Sequence, residues 1–456
     1  MISRRDFIKN ILAGTASLGA SSLFLRSLPT WALPTRTNED HFFLEILVRG
    51  GWDTHYLFDS RPLAFTQSGI AHDYFGKEPL LWTGTNGGTT WASEITKPLE
   101  SLKDYFSIVN GVVMSDGPDG HAQVLNTWFA GNTLGGESFI PYINKGNSGN
   151  KSILDCLQRN TLPPSLTNHD KVLNLKPKSS LQLNDKIKNS AGLDPHDKSF
   201  SFLEERYAGI TDLSKAWKNV PTLKNTFSKI QLPPLSQNMT QVEEIEYMLG
   251  VAFQYFKEGL SRGALLMTSD VDDFFFDTHH EDTAREHPTH MSNVVSLLIK
   301  LMNKLRETPY SANKSFLDVT TVIISSEFSR SLRQNNTDIN KTGTDHNSLN
   351  NSVLLAGKGI QNGLVIGASD LQTMSEELSP AHKKLDPNKI KLMGRPFDYS
   401  SQSIAPTSNA EFKLENYISS ATLVNTLLDV FNVDQKYKRS VGNVNNFPSL
   451  KSVIKT

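Results

Sequence analysis

The stretch LDVTTVIISSEF, residues 317–328, is aliphatic and β-branched on both alternating faces. A run like that suits a strand buried on its two sides, as the strands of parallel sheets are. Comparable runs occur at 42–48 (FFLEILV, ended by Gly50-Gly51), 105–114 (YFSIVNGVVM), 264–270 (ALLMTSD), 351–360 (NSVLLAGKGI) and 363–370 (GLVIGASD). Between them lie segments with apolar residues at three- and four-residue spacing: 121–132, 240–263 with Gly263 as a stop, 289–307, and 420–431. Strands that alternate with amphipathic helices predict an α/β fold, with a mostly parallel central sheet sandwiched by helices.

Residues 133–240 differ. They are rich in Asn, Ser, Lys, Leu and Pro, and their strand periodicity is weak. They read as a helical and loop insertion, or cap, on a single α/β domain spanning 33–456. The one cysteine, Cys156, excludes an intramolecular disulfide and any cysteine-built zinc site. A metal would have to be held by His, Asp, Glu or hydroxyl groups.

In open α/β sheets, ligands bind beyond the carboxyl ends of the strands. The polar residues at those places are Asp53 and His55 after the first strand, and Asp119-Gly120-His121 after the second. Asp277, His279 and His280 follow the ALLMTSD run, Glu327 and Arg330 end the 317–328 strand, and Asp345-His346 precede the next. Half of the 12 histidines fall in these clusters once His287 is counted. Acids and imidazoles in such company suit a divalent ion such as Zn, Mn, Mg or Ca. In Asp-x-His on extended backbone both side chains share a face. Each piece also has a plainer reading: a capped turn at Asp53, an ion pair between Glu327 and Arg330, a hydrogen-bonded turn at Asp345-His346. His287 and His290 read as surface residues.

The N-terminus reads as an export signal. Arg4-Arg5 in SRRDFIK precede a weakly apolar run of about 15 residues, too short for a spanning helix of roughly 20. The pattern resembles the twin-arginine (Tat) consensus, so residues 1–32 are expected to be a Tat signal peptide, the Tat translocase a transient partner, and the periplasm the destination. With a net charge of −1 over the full chain, nothing marks a nucleic-acid partner.

The motif order resembles a Tat-exported family known as domain of unknown function 1501, within the alkaline-phosphatase/sulfatase-like superfamily. The resemblance rests on LVRGGWD, IVNGVVMSDGPDGHAQVLNTWFAGN, FDTHHEDTAREH, SSEFSRSLR and GTDHNSLNNSVLLAGKGIQNGLVIG. It implies an alkaline-phosphatase-like fold and a metal-dependent hydrolase of phosphate or sulfate esters. The metal ligands would be Asp53, Asp277, His279, Glu327, Asp345 and His346, with His121 and Arg330 as catalytic groups that neutralise a developing anion. His55 lies outside the matched motif. Gly120 stands where the family has Ser, and Ser329 and Asn347 where it has Gly. The missing hydroxyl keeps a second reading in view: an exported binding or assembly protein that retains the fold without turnover.

Overall fold

The computed structural model describes residues 40–67, 76–146, 152, 154–160, 162–167, 172–174, 176–178, 180–181, 225–226, 228–271, 274–279, 286–334, 343–371, 389–406 and 412–455. The expected signal peptide and His280 lie outside the described residues, as does much of 133–240.

Eight strands form the central sheet: β1 (Phe42–Val48), β2 (Phe106–Val109), β3 (Cys156–Arg159), β4 (Val172–Asn174), β5 (Gly263–Met267), β6 (Thr320–Ser326), β7 (Val353–Gly357) and β8 (Val365–Ile366). Their order is β8-β2-β7-β6-β1-β5-β3-β4. Only β7 runs against the rest. The fold class read from the alternation is therefore present: mixed α/β, with a large, mostly parallel sheet. β1 lies at its heart, in register with β6 from Phe42↔Thr320 to Val48↔Ser326 and with β5 from Phe43↔Gly263 to Leu47↔Met267.

The strand period of two sorts the side chains into two cores. Phe42, Leu44, Ile46 and Val48 enter one, with Ala264, Leu266, Val322 and Ile324. Phe43 and Leu47 enter the other, with Leu265, Met267 and Ile323. Helices α2 (Gln241–Lys257) and α3 (His287–Glu307) cover the first face, through residues such as Met248, Phe256, Val294 and Leu298. Helices α1 (His121–Ala130) and α4 (Ser420–Val430) cover the second, through Trp128, Phe129, Leu423 and Leu427. Each fully buried side chain of this size contributes about 1.5–3 kcal/mol.

Local chemistry sets the helix limits. Thr240 caps α2 through a capping box with Glu243, and α3 begins with a proline in its first turn. Gly263 does not stop a helix. Helix α2 ends at Lys257, and Gly263 opens β5, where an added Cβ would lie 3.0 Å from the Asp155 carbonyl. Within the segment read as an insertion, β3 and β4 belong to the central sheet. Both are short, and β3 carries the polar Gln158 and Arg159, so their periodicity is faint in the sequence. Among the described residues no helix is long and apolar enough to cross a membrane.

The sheet directions decide where chemistry can gather. β1, β5 and β6 end at one edge, β2 ends there ahead of α1, and the antiparallel β7 starts there. Residues separated by more than two hundred positions thus meet at one rim.

Candidate metal centre

After β1 the chain turns through Gly50 and Gly51, at φ of +99° and +81°. Gly50 has no room for a side chain, because a Cβ would sit 2.3 Å from Asp270 Oδ1. Its N–H donates to Glu327 Oε1 at 2.8 Å. Asp53 then caps the 3-10 turn Thr54–Tyr56 and accepts from the His55 N–H at 2.9 Å. His55 is buried, and its Nδ1 accepts from the Arg61 N–H at 3.1 Å.

The loop after β5 is pinned from within. Phe274 and Phe276 are fully buried, and Asp270 Oδ1 accepts the Phe276 N–H at 2.8 Å. Thr278 faces the interior, where its hydroxyl lies 2.6 Å from that of Thr344. Its neighbours Asp277 and His279 meet on the other side, with Nε2 of His279 2.9 Å from Asp277 Oδ1. Ser329-Arg330 pair with His346-Asn347 as a short antiparallel ribbon, which brings His346 to the same place. His346 Nε2 lies 3.6 Å from Asp277 Oδ1 and 3.0 Å from His279 Nε2.

His121 arrives from the opposite wall as the first residue of α1. Its Nε2 is 3.4 Å from Asp277 Oδ1, and its Nδ1 is 2.8 Å from Glu327 Oε1. Arg330 is buried completely behind the group. It donates from Nη2 to Asp277 Oδ1 at 2.8 Å and also to the Gly50 carbonyl, and from Nε to the Gly51 carbonyl at 3.2 Å. Asp345 Oδ1 lies 3.6 Å from His279 Nδ1.

Most of these residues lie in one stretch of chain. Residues 260–385 match the family model described as protein of unknown function (DUF1501). The DUF1501 stretch holds Asp270, Asp277, His279, Glu327, Arg330, Asp345 and His346; His121 and the Gly50-Gly51 turn come from outside it. No curated protein matches the chain. Among solved structures, it is similar to Ps i-CgsB in complex with k-i-k-neocarrahexaose, at 8% identity and a TM-score of 0.37, over 90% of this chain and 77% of that one. It is also similar to the PsFucS1 sulfatase from Pseudoalteromonas sp. (12%, 0.31, 79% and 67%). A third is the alkaline phosphatase from the Antarctic bacterium TAB5 (11%, 0.28, 71% and 94%).

Of the sequence-predicted residues, the fold brings Asp277, His279, Asp345 and His346 together with His121. Among the described residues, two groups can each converge their ligand atoms within 4.8 Å: His121, Asp277 and His346, and His279, Asp345 and His346. Glu327 sits behind His121, and Arg330 behind Asp277. Asp53 faces its own turn and is in neither group. His287 and His290 are not surface residues. Both are buried, because the Phe276 ring packs against each, with centroids 5.2 and 5.9 Å away. Asp270 is not among the residues singled out from the sequence, although it closes the 264–270 run; its carboxylate seats the Asp277 loop.

The electrostatics follow from this packing. Partial burial disfavours charge on Asp277, yet the donors of His121, His279, His346 and Arg330 outweigh it and hold the carboxyl well below its usual range. Burial also works against His121, but Asp277 and Glu327 raise its imidazole to about 9. Burial pushes Asp53 up to about 7, against the His55 N–H and the Arg330 charge.

A tetrahedral ion with bonds of 2.0–2.1 Å sets its ligands about 3.3 Å apart. Four of the six spacings among Asp277 Oδ1 and the three Nε2 atoms are 2.9, 3.0, 3.4 and 3.6 Å, with His121 and His279 in separate three-ligand groups that share His346. The residues present therefore fit a divalent ion. The side chains of His121, Asp277 and His279 are 25%, 34% and 34% exposed, so one face of the group opens to solvent.

Proposed function

We propose that this chain is an exported, metal-dependent hydrolase of phosphate or sulfate esters. The observation that carries the reading is the convergence of His121, His279 and His346 on a single oxygen of Asp277. These four would hold the ion, and the solvent-exposed face would admit substrate and water. A divalent ion in such a place lowers the pKa of water towards about 7 and polarises an ester oxygen. Arg330 keeps Asp277 ionised and oriented. Gly120 offers no hydroxyl at the start of α1, so water would attack the ester directly and expel the alcohol, with no covalent ester to the protein. The twin-arginine segment supports passage through the Tat translocase into the periplasm, after the site has folded.

Gly120 also favours one rival, a binding or assembly protein that keeps the site without turnover. Elemental analysis of purified protein, with assays of aryl phosphates and sulfates before and after chelation, separates the two. Bound divalent metal with chelator-sensitive turnover, both lost in Asp277→Ala, supports the hydrolase. Metal without turnover favours the rival. Protein that purifies without metal and takes none up, with Asp277→Ala unchanged, would end both. Export is tested by replacing Arg4 and Arg5 with Lys, which should leave the precursor in the cytoplasm.

A further inference from the structure

We infer that Glu327 and Asp345 are positioning residues rather than ligands, and that the centre therefore offers three imidazole nitrogens and one carboxylate oxygen. This rests on the metal-centre reading above and goes on to the class of ion.

Glu327 is fully buried, and most of its acceptor capacity is already used. Oε1 takes the Gly50 N–H at 2.8 Å and faces His121 Nδ1 at 2.8 Å, while Oε2 accepts from the Ser326 hydroxyl at 3.1 Å. Binding an ion directly would mean giving up these bonds inside the protein, where an unmade bond costs most. The same contacts give Glu327 a different use. A neutral imidazole that donates from Nδ1 to a carboxylate presents a bare lone pair at Nε2. On His121 that Nε2 is buried and faces the Asp277 oxygen at 3.4 Å, outside regular hydrogen-bond geometry.

The second imidazole also has a carboxylate on its Nδ1 side, at ion-pair rather than hydrogen-bond distance. His279 turns Nδ1 towards Asp345 Oδ1, at 3.6 Å, and Nε2 towards Asp277 and His346. Asp345 is itself fixed, its N–H donating to the Ser331 hydroxyl and its Oδ1 accepting the His346 N–H. The Nε2 atoms of His279 and His346, 3.0 Å apart, cannot both point a proton along that line. One of the two must offer its lone pair to the other, and a cation bound by both would take both lone pairs. A carboxylate behind a metal-binding imidazole is a general way of fixing its tautomer and direction.

The consequence is selectivity. Six ligands that included Asp53, Glu327 and Asp345 would form an oxygen-rich set suited to Mg²⁺ or Ca²⁺. Three nitrogens and one oxygen suit Zn²⁺, or Co²⁺ as its substitute.

The test is metal titration of the full, purified, chelator-stripped chain with Zn²⁺, Co²⁺ and Mg²⁺ by calorimetry, together with the visible spectrum of the Co²⁺ form. Wild type should bind one Zn²⁺ or Co²⁺ per chain in preference to Mg²⁺, and the Co²⁺ form should show the intense bands of four or five coordination. Glu327→Gln and Asp345→Asn should keep the stoichiometry and the Co²⁺ spectrum while weakening affinity about 10–100-fold. Glu327→Ala should weaken it more than Glu327→Gln. Preference for Mg²⁺, a changed spectrum in Glu327→Gln, or unaltered affinity in both conservative variants would overturn the inference and leave a metal centre standing. Failure of wild type to bind any of the three ions would remove the metal-centre reading and this inference with it.

Discussion

Arg330 and Asp277, 53 residues apart, meet through one hydrogen bond of 2.8 Å between a fully buried guanidinium and a carboxylate on the solvent side of the site. The same arginine holds the carbonyls of Gly50 and Gly51. It therefore fastens the ends of β1 and β6 to the loop that carries Asp277. Removing it leaves buried acceptors without donors. Arg330→Ala should lower stability by about 3–5 kcal/mol in urea denaturation. Arg330→Lys should recover only part of this, since an ammonium on a flexible stem cannot match the planar fork. A loss below about 1 kcal/mol in the alanine variant would count against this role.

Gly50 is required by two separate constraints. Its φ of +99° disfavours any side chain, and a Cβ would meet Asp270 Oδ1 at 2.3 Å and Phe276 Cβ at 2.9 Å. Gly50→Ala should cost about 1–3 kcal/mol. It should also weaken metal uptake, because Asp270 and Phe276 seat the Asp277 loop. Denaturation and metal titration on the same preparation would check both.

Glu45 predicts a pH dependence away from the site. It lies in the middle of β1, fully buried, and accepts from the Trp128 indole N–H at 2.6 Å. Burial raises its carboxyl from 4.5 to about 8, the Trp128 bond opposing. Between those values the folded chain keeps a proton that the unfolded chain has released, so this group's contribution to stability falls as pH rises. Glu45→Gln keeps the acceptor and removes the titration. The gap in stability between the variant and wild type should widen in the variant's favour from pH 5 to pH 8. A gap that stays constant over that range would show that Glu45 does not titrate in this way.

Metal should also register in thermal stability. An ion that binds only the folded chain contributes about 2.7 kcal/mol at a hundred times its Kd. Zn²⁺ should therefore raise the melting temperature of stripped protein, and chelator should reverse the rise. The gain should shrink as pH falls, because protons compete with the ion for its ligands. His279→Ala and His346→Ala should abolish most of it. A melting curve indifferent to Zn²⁺ at pH 7.5 would contradict the centre.

The site was legible from the sequence in its parts. Asp277 and His279 were visible because they follow a strand run at a spacing of two, and His346 because it precedes another strand. Roles were harder to read. Glu327 looked like a ligand, and His121 like a group that neutralises a developing anion, but the fold stacks Glu327 behind His121. The motif resemblance implied a metal-binding Asp53, yet its carboxylate faces the turn that it caps. Asp270 went unmarked because an acid after a strand is common, and only its contact with Gly50 and Phe276 gives it work.

What the sequence by itself determined is local and periodic. Runs of aliphatic and β-branched residues specified β1 and β6, three- and four-residue spacing specified α2, α3 and α4, and acids and imidazoles stand beside the strand runs. What the tertiary structure decided is which atoms face each other across that rim. His121 and Glu327 are 206 residues apart, and the nitrogen that meets the carboxylate depends on how α1 packs against β6. No local pattern encodes that choice, because it is set by sheet order and side-chain packing, which involve the whole chain at once.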